Sequence, residues 1–368
     1  MRILQLIQKP QLRGAETFAC QLSNHLLDQG HEVRVVSLIN GTAQLPFRNG
    51  VQSLDAKLSN RFFDLKGWKA LADMIAEYKP DVLQANAGDT LKFAVLSRLF
   101  YRWKTPLVYR NANKVSDFIT SRPKFMFNKA LVSRVDHVIS VSELCRQDFI
   151  KTYSFPAANT AMVPIGIEPK PVLGKVPEDL SEHFKSGRVL VNVASLVPEK
   201  NHQGLIRIMA SVVKAHPELR VIILGDGKLR ASLQQEIDAK GLNKHIILAG
   251  YRSDVLAIVS QAQGFILPSR IEGLPGVILE AFYCKVPVIA YNVGGVSEVV
   301  RTDETGWLIR KDDETGFADA IAELLQAPDK AAAMVENAFK LVNTQFVNAY
   351  LAEKFAAEYR KVTTRLSK

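Results

Sequence analysis

Two carboxylates pose the first chemical question. Glu272 and Glu280 stand eight residues apart in Glu272-Gly273-Leu274-Pro275-Gly276-Val277-Ile278-Leu279-Glu280, directly after an apolar run, Gly264–Leu267, that reads as a strand. Gly273 and Gly276 let backbone approach a ligand closely. Pro275 suits the first turn of a helix, where its missing N–H costs nothing. A helix opening there aims free N–H groups and the positive end of its dipole outward, which suits a diphosphate. An ionised carboxylate only accepts hydrogen bonds, and it can take two from a vicinal diol of ribose or hexose. Phosphate donors flanked by two diol-binding acids describe a nucleotide-sugar cradle. A glycosidase pair is the rival use of two acids, but a phosphate-type helix start has no task in plain hydrolysis.

The elements that must position these groups alternate along the chain. In the first half, strand patterns fall at Arg2–Ile7, Glu32–Leu38, Val82–Gln84, Pro106–Tyr109, His137–Val141 and Ala161–Val163. Helical patterns lie between them at Ala15–Gln29, Gly67–Tyr78, Asp89–Arg102, Lys124–Arg134 and Ser142–Thr152. In the second half, strands read at Arg188–Ala194, Arg220–Leu224, His245–Ala249, Gly264–Leu267 and Val286–Ala290, each expected to lead into a helix. Continuous Val/Ile/Leu strands separated by helices imply parallel sheets covered on both faces. The expected class is therefore α/β, with two doubly wound Rossmann-like domains in tandem and a proline-rich, aperiodic seam near Pro169–Ser186. Ligands of open α/β sheets sit beyond the carboxyl ends of strands. A site in a cleft between two such domains is the expectation.

Composition fits a globular chain: of 368 residues, 47% are hydrophobic and 23% charged, which excludes disorder and collagen. Apolar runs such as Val286–Ala290 are far shorter than the roughly 20 residues of a membrane span. Met1–Gln8 reads as a first strand and is too broken by Gln5 for a secretory signal. Cys20, Cys145 and Cys284 are far apart with no CxxC, which argues against disulfides or a zinc site and for a reducing compartment. The formal net charge of +10 favours phosphates, nucleic acid or an anionic membrane face.

The Glu272…Glu280 segment resembles the E-x7-E motif of retaining GT-B glycosyltransferases, most closely family GT4. Further segments match in the family's order. Asp136–Ser142 resembles its A-D-x-[IV]-[IV]-x-[VS]-S stretch, and Val163–Glu168 its V-P-N-G-I-D. Leu224–Gly227 is similar to its G-x-G turn and Asn292–Val300 to its G-G-x-x-E-x-[IV] segment. The resemblance implies a GT-B fold: domains 1–170 and 171–347, and a final helix, 348–368, crossing back to the first domain.

It also implies roles. Ser195-Leu196-Val197-Pro198-Glu199-Lys200 looks like the family's G-R-L-x-x-x-K, so Lys200 would contact the donor diphosphate and stabilise the charge that grows on it. The usual Arg is Ser195 here, which can only hydrogen-bond; Arg252 or Arg270 would have to compensate. Gln11–Glu16 resembles the G-G-A-E loop, with Gly14 offering its N–H to phosphate. The loop with Tyr251 and Arg252 would lie near the nucleobase. Where relatives often carry a His after a strand, this chain has Tyr109-Arg110-Asn111, so Arg110 or Asn111 would fill the acceptor side. The donor site would comprise Gly14, Ser195, Lys200, Tyr251, Arg252, Glu272, Gly273, Leu274, Gly276 and Glu280, with Glu272 and Lys200 catalytic. No histidine or paired-Asp spacing suggests a metal ligand set, so no metal and no cofactor are expected beyond a UDP- or GDP-sugar as donor.

From Tyr101 to Arg134 there are eight Lys/Arg and one acid, with Tyr101, Trp103, Phe118, Phe125 and Phe127 interleaved. Such a stretch suits an anionic membrane surface; no nucleic-acid motif accompanies it. The expected activity is transfer of a hexose, with retention, to a glycan or lipid-linked saccharide in bacterial cell-surface polysaccharide or lipopolysaccharide synthesis. The expected location is cytoplasmic and peripheral to the inner membrane face. A catalytically silent nucleotide-sugar-binding partner and a nucleotide-sugar epimerase of the same fold are the alternatives.

Overall fold

The computed structural model describes residues 1–57, 63–169, 175–185 and 187–366. Residues 170–174 and 186, inside the expected seam, lie outside the described residues. The chain divides into two compact units: Met1–Glu168 with Phe346–Lys368, and Pro169–Gln345.

In the first unit the strands are β1 (Arg2–Ile7), β2 (Glu32–Ser37), β3 (Val51–Ser53), β4 (Val82–Ala85), β5 (Leu107–Asn111), β6 (His137–Ser140) and β7 (Thr160–Met162). The helices between them are α1 (Gly14–Asp28), α2 (Leu65–Tyr78), α3 (Gly88–Tyr101), α4 (Arg122–Val132) and α5 (Glu143–Tyr153). The strands form one parallel sheet in the order β3-β2-β1-β4-β5-β6-β7. Ile3, Leu4, Val82, Leu83, Val108 and Ile139 are fully buried, as expected where helices cover both faces. Polar side chains start two helices: Ser121 caps α4 through the Lys124 N–H and Ser142 caps α5 through the Cys145 N–H.

The second unit holds α6 (Glu178–Lys185), β8 (Arg188–Val193), α7 (His202–Val212), β9 (Leu219–Leu224), α8 (Arg230–Ala239), β10 (Ile246–Gly250), α9 (Val255–Val259), β11 (Gly264–Leu267), α10 (Gly276–Tyr283), β12 (Val288–Tyr291), β13 (Trp307–Ile309), α11 (Glu314–Gln326) and α12 (Pro328–Gln345). Its sheet runs β10-β9-β8-β11-β12-β13, again parallel. Strand order reverses between β8 and β11, and in doubly wound sheets ligands bind at the carboxyl ends of the strands at such a reversal.

The last helix, α13 (Asn348–Leu366), belongs to the first unit. Leu351, Phe355, Tyr359 and Val362 form its buried stripe and pack with Ile3, Phe18 and Val82. The Tyr359 hydroxyl donates to Gln84 Oε1 at 2.7 Å and accepts from Gln5 Nε2 at 3.2 Å. Gln84 and Asn86 in turn donate to Gln5 Oε1 at 3.1 and 2.9 Å. Such a buried polar knot tolerates only partners that satisfy one another, so it fixes where α13 docks.

Three details depart from the sequence expectation. The edge strands β3 and β13 have three residues each, too few to show a period. β12 starts at Val288, because Pro287 has no N–H to give the ladder. β5 runs on through Asn111, so Arg110 and Asn111 are strand residues and not loop residues. The ladder continues because Arg110 and Asn111 pair with Ile139 and Ser140 of β6.

Candidate functional site

The two loops that leave β8 and β11 carry the central pair. After β8 the chain passes Ser195 and makes one short turn, Pro198–Lys200. Asn201 then takes a left-handed backbone (φ 55°), which Asn tolerates better than most residues, and α7 begins at His202. Asn201 is buried, and its Nδ2 donates to the Pro268 carbonyl at 3.1 Å. The Arg270 N–H donates to the Glu199 carbonyl at 2.8 Å. These two bonds join the loops, and between them Lys200 Nζ donates to Glu272 Oε1 at 2.6 Å. Residues 72 positions apart thus form one charge-assisted contact. Glu272 is 7% exposed, and about a quarter of the Lys200 side chain reaches solvent.

Two glycines brace these loops. Gly294 has φ 51°, and a Cβ there would lie 1.9 Å from the Glu272 carbonyl oxygen. Its neighbour Gly295 donates an N–H to the Gly273 carbonyl. Gly225 has φ 150°, and a Cβ would lie 2.0 Å from the Ala194 carbonyl oxygen, just before Ser195. Both segments need a residue without a side chain to sit this close.

Past the Glu272 loop, Leu274 is buried, Pro275 occupies the N-cap position, and α10 starts at Gly276. The first turn of α10 leaves its N–H groups of Gly276 and Val277 outside the helix ladder, as any helix start does. Glu280 lies one turn further. Its carboxylate accepts no hydrogen bond among the described residues, and burial pushes its pKa up to about 7. A half-buried acid without a partner among the described residues keeps its lone pairs open to a hydrogen-bond donor.

His202, beside this pair, is buried with both ring nitrogens unpartnered among the described residues. Burial, and then the charge of Lys200, push it down to about 4, so the ring is neutral and adds no cation. Arg252 and Arg270, candidates to replace the absent Arg, are both engaged. Arg252 is held by Asp254 and Asp179, each at 2.6 Å, and these bonds raise its pKa further. Arg270 pairs with Asp312 at 2.7 Å. Tyr251 is 57% exposed, so of the two planar side chains in that loop only Tyr251 is uncommitted. The Ser195 hydroxyl makes no hydrogen bond among the described residues.

The remaining expected site residues belong to the first unit. Gly14 opens α1 with open space where a Cβ would stand. Arg110 is buried, with its guanidinium carbon 4.4 Å above the Phe18 ring and Nη1 reaching the Ala15 carbonyl at 3.4 Å. Burial pushes it down to about 10. Asn111 Nδ2 donates to Ser140 Oγ and to the Cys145 carbonyl, both at 3.3 Å. Neither side chain extends into a loop after β5. Among the described residues no group of three or more His, Cys, Asp or Glu converges as a metal site.

The roles of Asn201, Gly225 and Gly294 as braces are not legible in a sequence, because each depends on a neighbour far along the chain. The signal that was available is local: an Asn directly after Lys200, and glycines in turns after strands.

Comparison with known proteins accounts for both units. The model described as "Glycosyltransferase Family 4" matches residues 12–170, and "Glycosyl transferases group 1" matches 179–341. An alpha-D-kanosaminyltransferase of Streptomyces kanamyceticus is 28% identical over 47% of this chain and 46% of its own. A GDP-mannose-dependent alpha-(1-6)-phosphatidylinositol monomannoside mannosyltransferase of Mycobacterium tuberculosis is 30% identical over 60% of each. The chain spans about half the length of the curated relatives it matches. Among solved structures, Anabaena Alr3699/HepE in complex with UDP-glucose aligns with a TM-score of 0.84 at 22% identity, covering 98% of this chain and 100% of that one. Sucrose-phosphate synthase of Thermosynechococcus elongatus aligns with 0.83 at 19% identity, covering 99% of each. Two parallel-sheet units of GT-B type, matched by two family models that meet near the unit boundary, make this chain a member of the family 4 glycosyltransferases.

Proposed function

We propose that the chain is a retaining glycosyltransferase that moves a hexose from a UDP- or GDP-sugar to a glycan or lipid-linked saccharide, in the synthesis of a bacterial cell-surface polysaccharide or lipopolysaccharide. The observation that carries this reading is Glu280, which accepts no hydrogen bond among the described residues and stands one turn inside the helix that follows the loop of the Lys200–Glu272 pair. The names of the relatives, a kanosaminyltransferase and a GDP-mannose-dependent enzyme, support a sugar nucleotide as donor.

In this reading Glu280 accepts both hydroxyls of the ribose and Glu272 orients hydroxyls of the hexose. Lys200 is shared between Glu272 and the diphosphate. As the bond between the anomeric carbon and the phosphate oxygen breaks, negative charge gathers on the leaving diphosphate. The Lys200 ammonium and the N–H groups at the start of α10 stabilise it. The acceptor hydroxyl bonds to the anomeric carbon on the face the diphosphate leaves, and its proton passes to a phosphate oxygen. No metal is needed in this scheme, since fixed positive groups meet the charge.

The test is release of nucleotide from a panel of UDP- and GDP-sugars, with and without saccharide acceptors. Transfer is expected only with acceptor present. Release that ignores the acceptor, or nucleotide binding without turnover on any acceptor, would overturn the proposal.

The pH dependence of binding follows from Glu280. Its folded pKa, about 7, lies above the ordinary 4.5. Ionisation therefore costs the empty fold stability as pH climbs between those values. A diol favours the ionised form, so binding releases a proton below about pH 7. The dissociation constant for a nucleotide sugar, whose bridging diphosphate does not titrate there, should fall as pH rises from about 5 to about 7, then level off. Glu280→Gln should remove the slope. Calorimetry in buffers of different ionisation enthalpy reads the proton directly; a flat profile in the parent protein would speak against the ribose role.

A further inference from the structure

The outer face of α4 is built the wrong way round for a solvated helix. At about 100° per residue, Pro123, Met126 and Ala130 share its outward side. Arg122 and Lys129 flank that side on one edge, and Phe127 and Lys124 on the other. Leu131 and Val132 fill the buried side. Met126 is 64% exposed, although nothing in a water-facing helix rewards that.

The stripe continues onto the neighbouring helices. Lys92 of α3 lies 5.7 Å from the Phe127 ring, which sets α3 beside α4. At the far end of α3, Leu99 and Phe100 are 46% and 55% exposed. The Tyr101 hydroxyl there donates to the carbonyl of Leu65, the exposed first residue of α2, at 3.1 Å. Several large apolar side chains thus face outward across three adjacent helices, a grouping that scattered surface apolar residues do not make.

The cations around them lack ionic partners among the described residues, although Lys129 Nζ also lies 5.8 Å from the Phe125 ring. Arg102, Lys104, Arg122, Lys124, Lys129 and Arg134 are exposed, and none has a carboxylate in ion-pair reach among the described residues. The one acid between Tyr101 and Arg134, Asp117, is taken by Lys114 at 3.2 Å. Not every residue of the stretch takes part. Arg110 is buried in β5, Trp103 donates its ring N–H to Ser97, and Phe125 stacks on Tyr153.

The geometry points to a docking surface for an anionic lipid bilayer, with Met126, Phe127, Leu99 and Phe100 entering the headgroup boundary and the flanking lysines and arginines on lipid phosphates. Aliphatic side chains standing among cations gain from acyl chains and gain nothing from a sugar–phosphate backbone. Lysine at this density is depleted in protein interfaces. The inference rests on this surface alone and not on the donor site.

Flotation of the full chain with vesicles tests it. Vesicles of equal parts phosphatidylglycerol and phosphatidylcholine should carry the protein, and phosphatidylcholine alone should not. Each cation near an anionic surface is worth about fivefold in partitioning, so Lys124→Glu with Lys129→Glu should lower it about 30-fold or more. Met126→Ser should lower it about tenfold at unchanged charge. All three positions are exposed, and matching thermal melts and retained nucleotide binding verify the fold. If a variant melts early, Lys124→Gln with Lys129→Gln takes its place. Equal binding to both vesicle types, or binding unchanged in either variant, would overturn the inference. So would loss with the lysine variant alone while Met126→Ser binds normally, since that pattern belongs to a soluble polyanion such as nucleic acid.

Discussion

Glu280→Ala is expected to weaken nucleoside diphosphate binding about tenfold or more. A charge-assisted hydrogen bond contributes roughly 1.5–3 kcal/mol, and about 1.4 kcal/mol is a factor of ten. Two such bonds from one ribose give a gross effect above that, part of which offsets the cost of holding an ionised acid out of water. The stability of the empty protein should move the other way. Glu280 has no partner to lose among the described residues, and its raised pKa means that the ionised form strains the fold. Above pH 7 the alanine variant should therefore melt no earlier than the parent. Weaker binding without weaker folding separates a ligand contact from a structural role. Isothermal titration calorimetry and a melting curve read the two quantities, and an unchanged dissociation constant would remove Glu280 from the site.

Lys200→Ala should lower turnover about a hundredfold or more while the Michaelis constant moves far less. Lys200 acts on charge that exists mainly in the transition state, and removing one such donor in other enzymes costs about that much. Here folding does suffer. Glu272 is 7% exposed, and without Lys200 it becomes a buried carboxylate lacking its counter-ion. The variant is expected to melt earlier, and Lys200→Ala combined with Glu272→Gln should recover the melting temperature without recovering turnover. Steady-state kinetics on the single and double variants distinguish the two effects. A rise in the Michaelis constant alone, with turnover intact, would assign Lys200 to uniform donor binding.

Much of the fold is legible in the chain itself. β11 begins and ends where its apolar run does, because a strand buried on both faces favours apolar residues throughout. Glu272, Gly276 and Glu280 stand out by type and spacing, since glycine, proline and acid gathered at a strand–helix junction suit a phosphate and a diol and little else. What sequence could not supply is pairing at a distance. The Lys200–Glu272 contact depends on β8 and β11 being neighbours, which periodicity does not reveal. The engagement of Arg252 by Asp179 is hidden for the same reason: the two lie 73 positions apart. Arg110 misled because a charged residue after an apolar run reads as the end of a strand. In the fold, the Phe18 ring and the Ala15 carbonyl let β5 carry that charge inward.

The knot of Tyr359, Gln84 and Gln5 also bears on biosynthesis. The helix that supplies Tyr359 leaves the ribosome after the whole of the second unit, yet it completes the interior of the first. The second unit has every residue it needs while its predecessor in the sequence still waits for Leu351, Phe355 and Tyr359. The half made first is thus the half finished last, and the nascent chain leaves the surface of Ile3, Phe18 and Val82 bare until translation reaches α13.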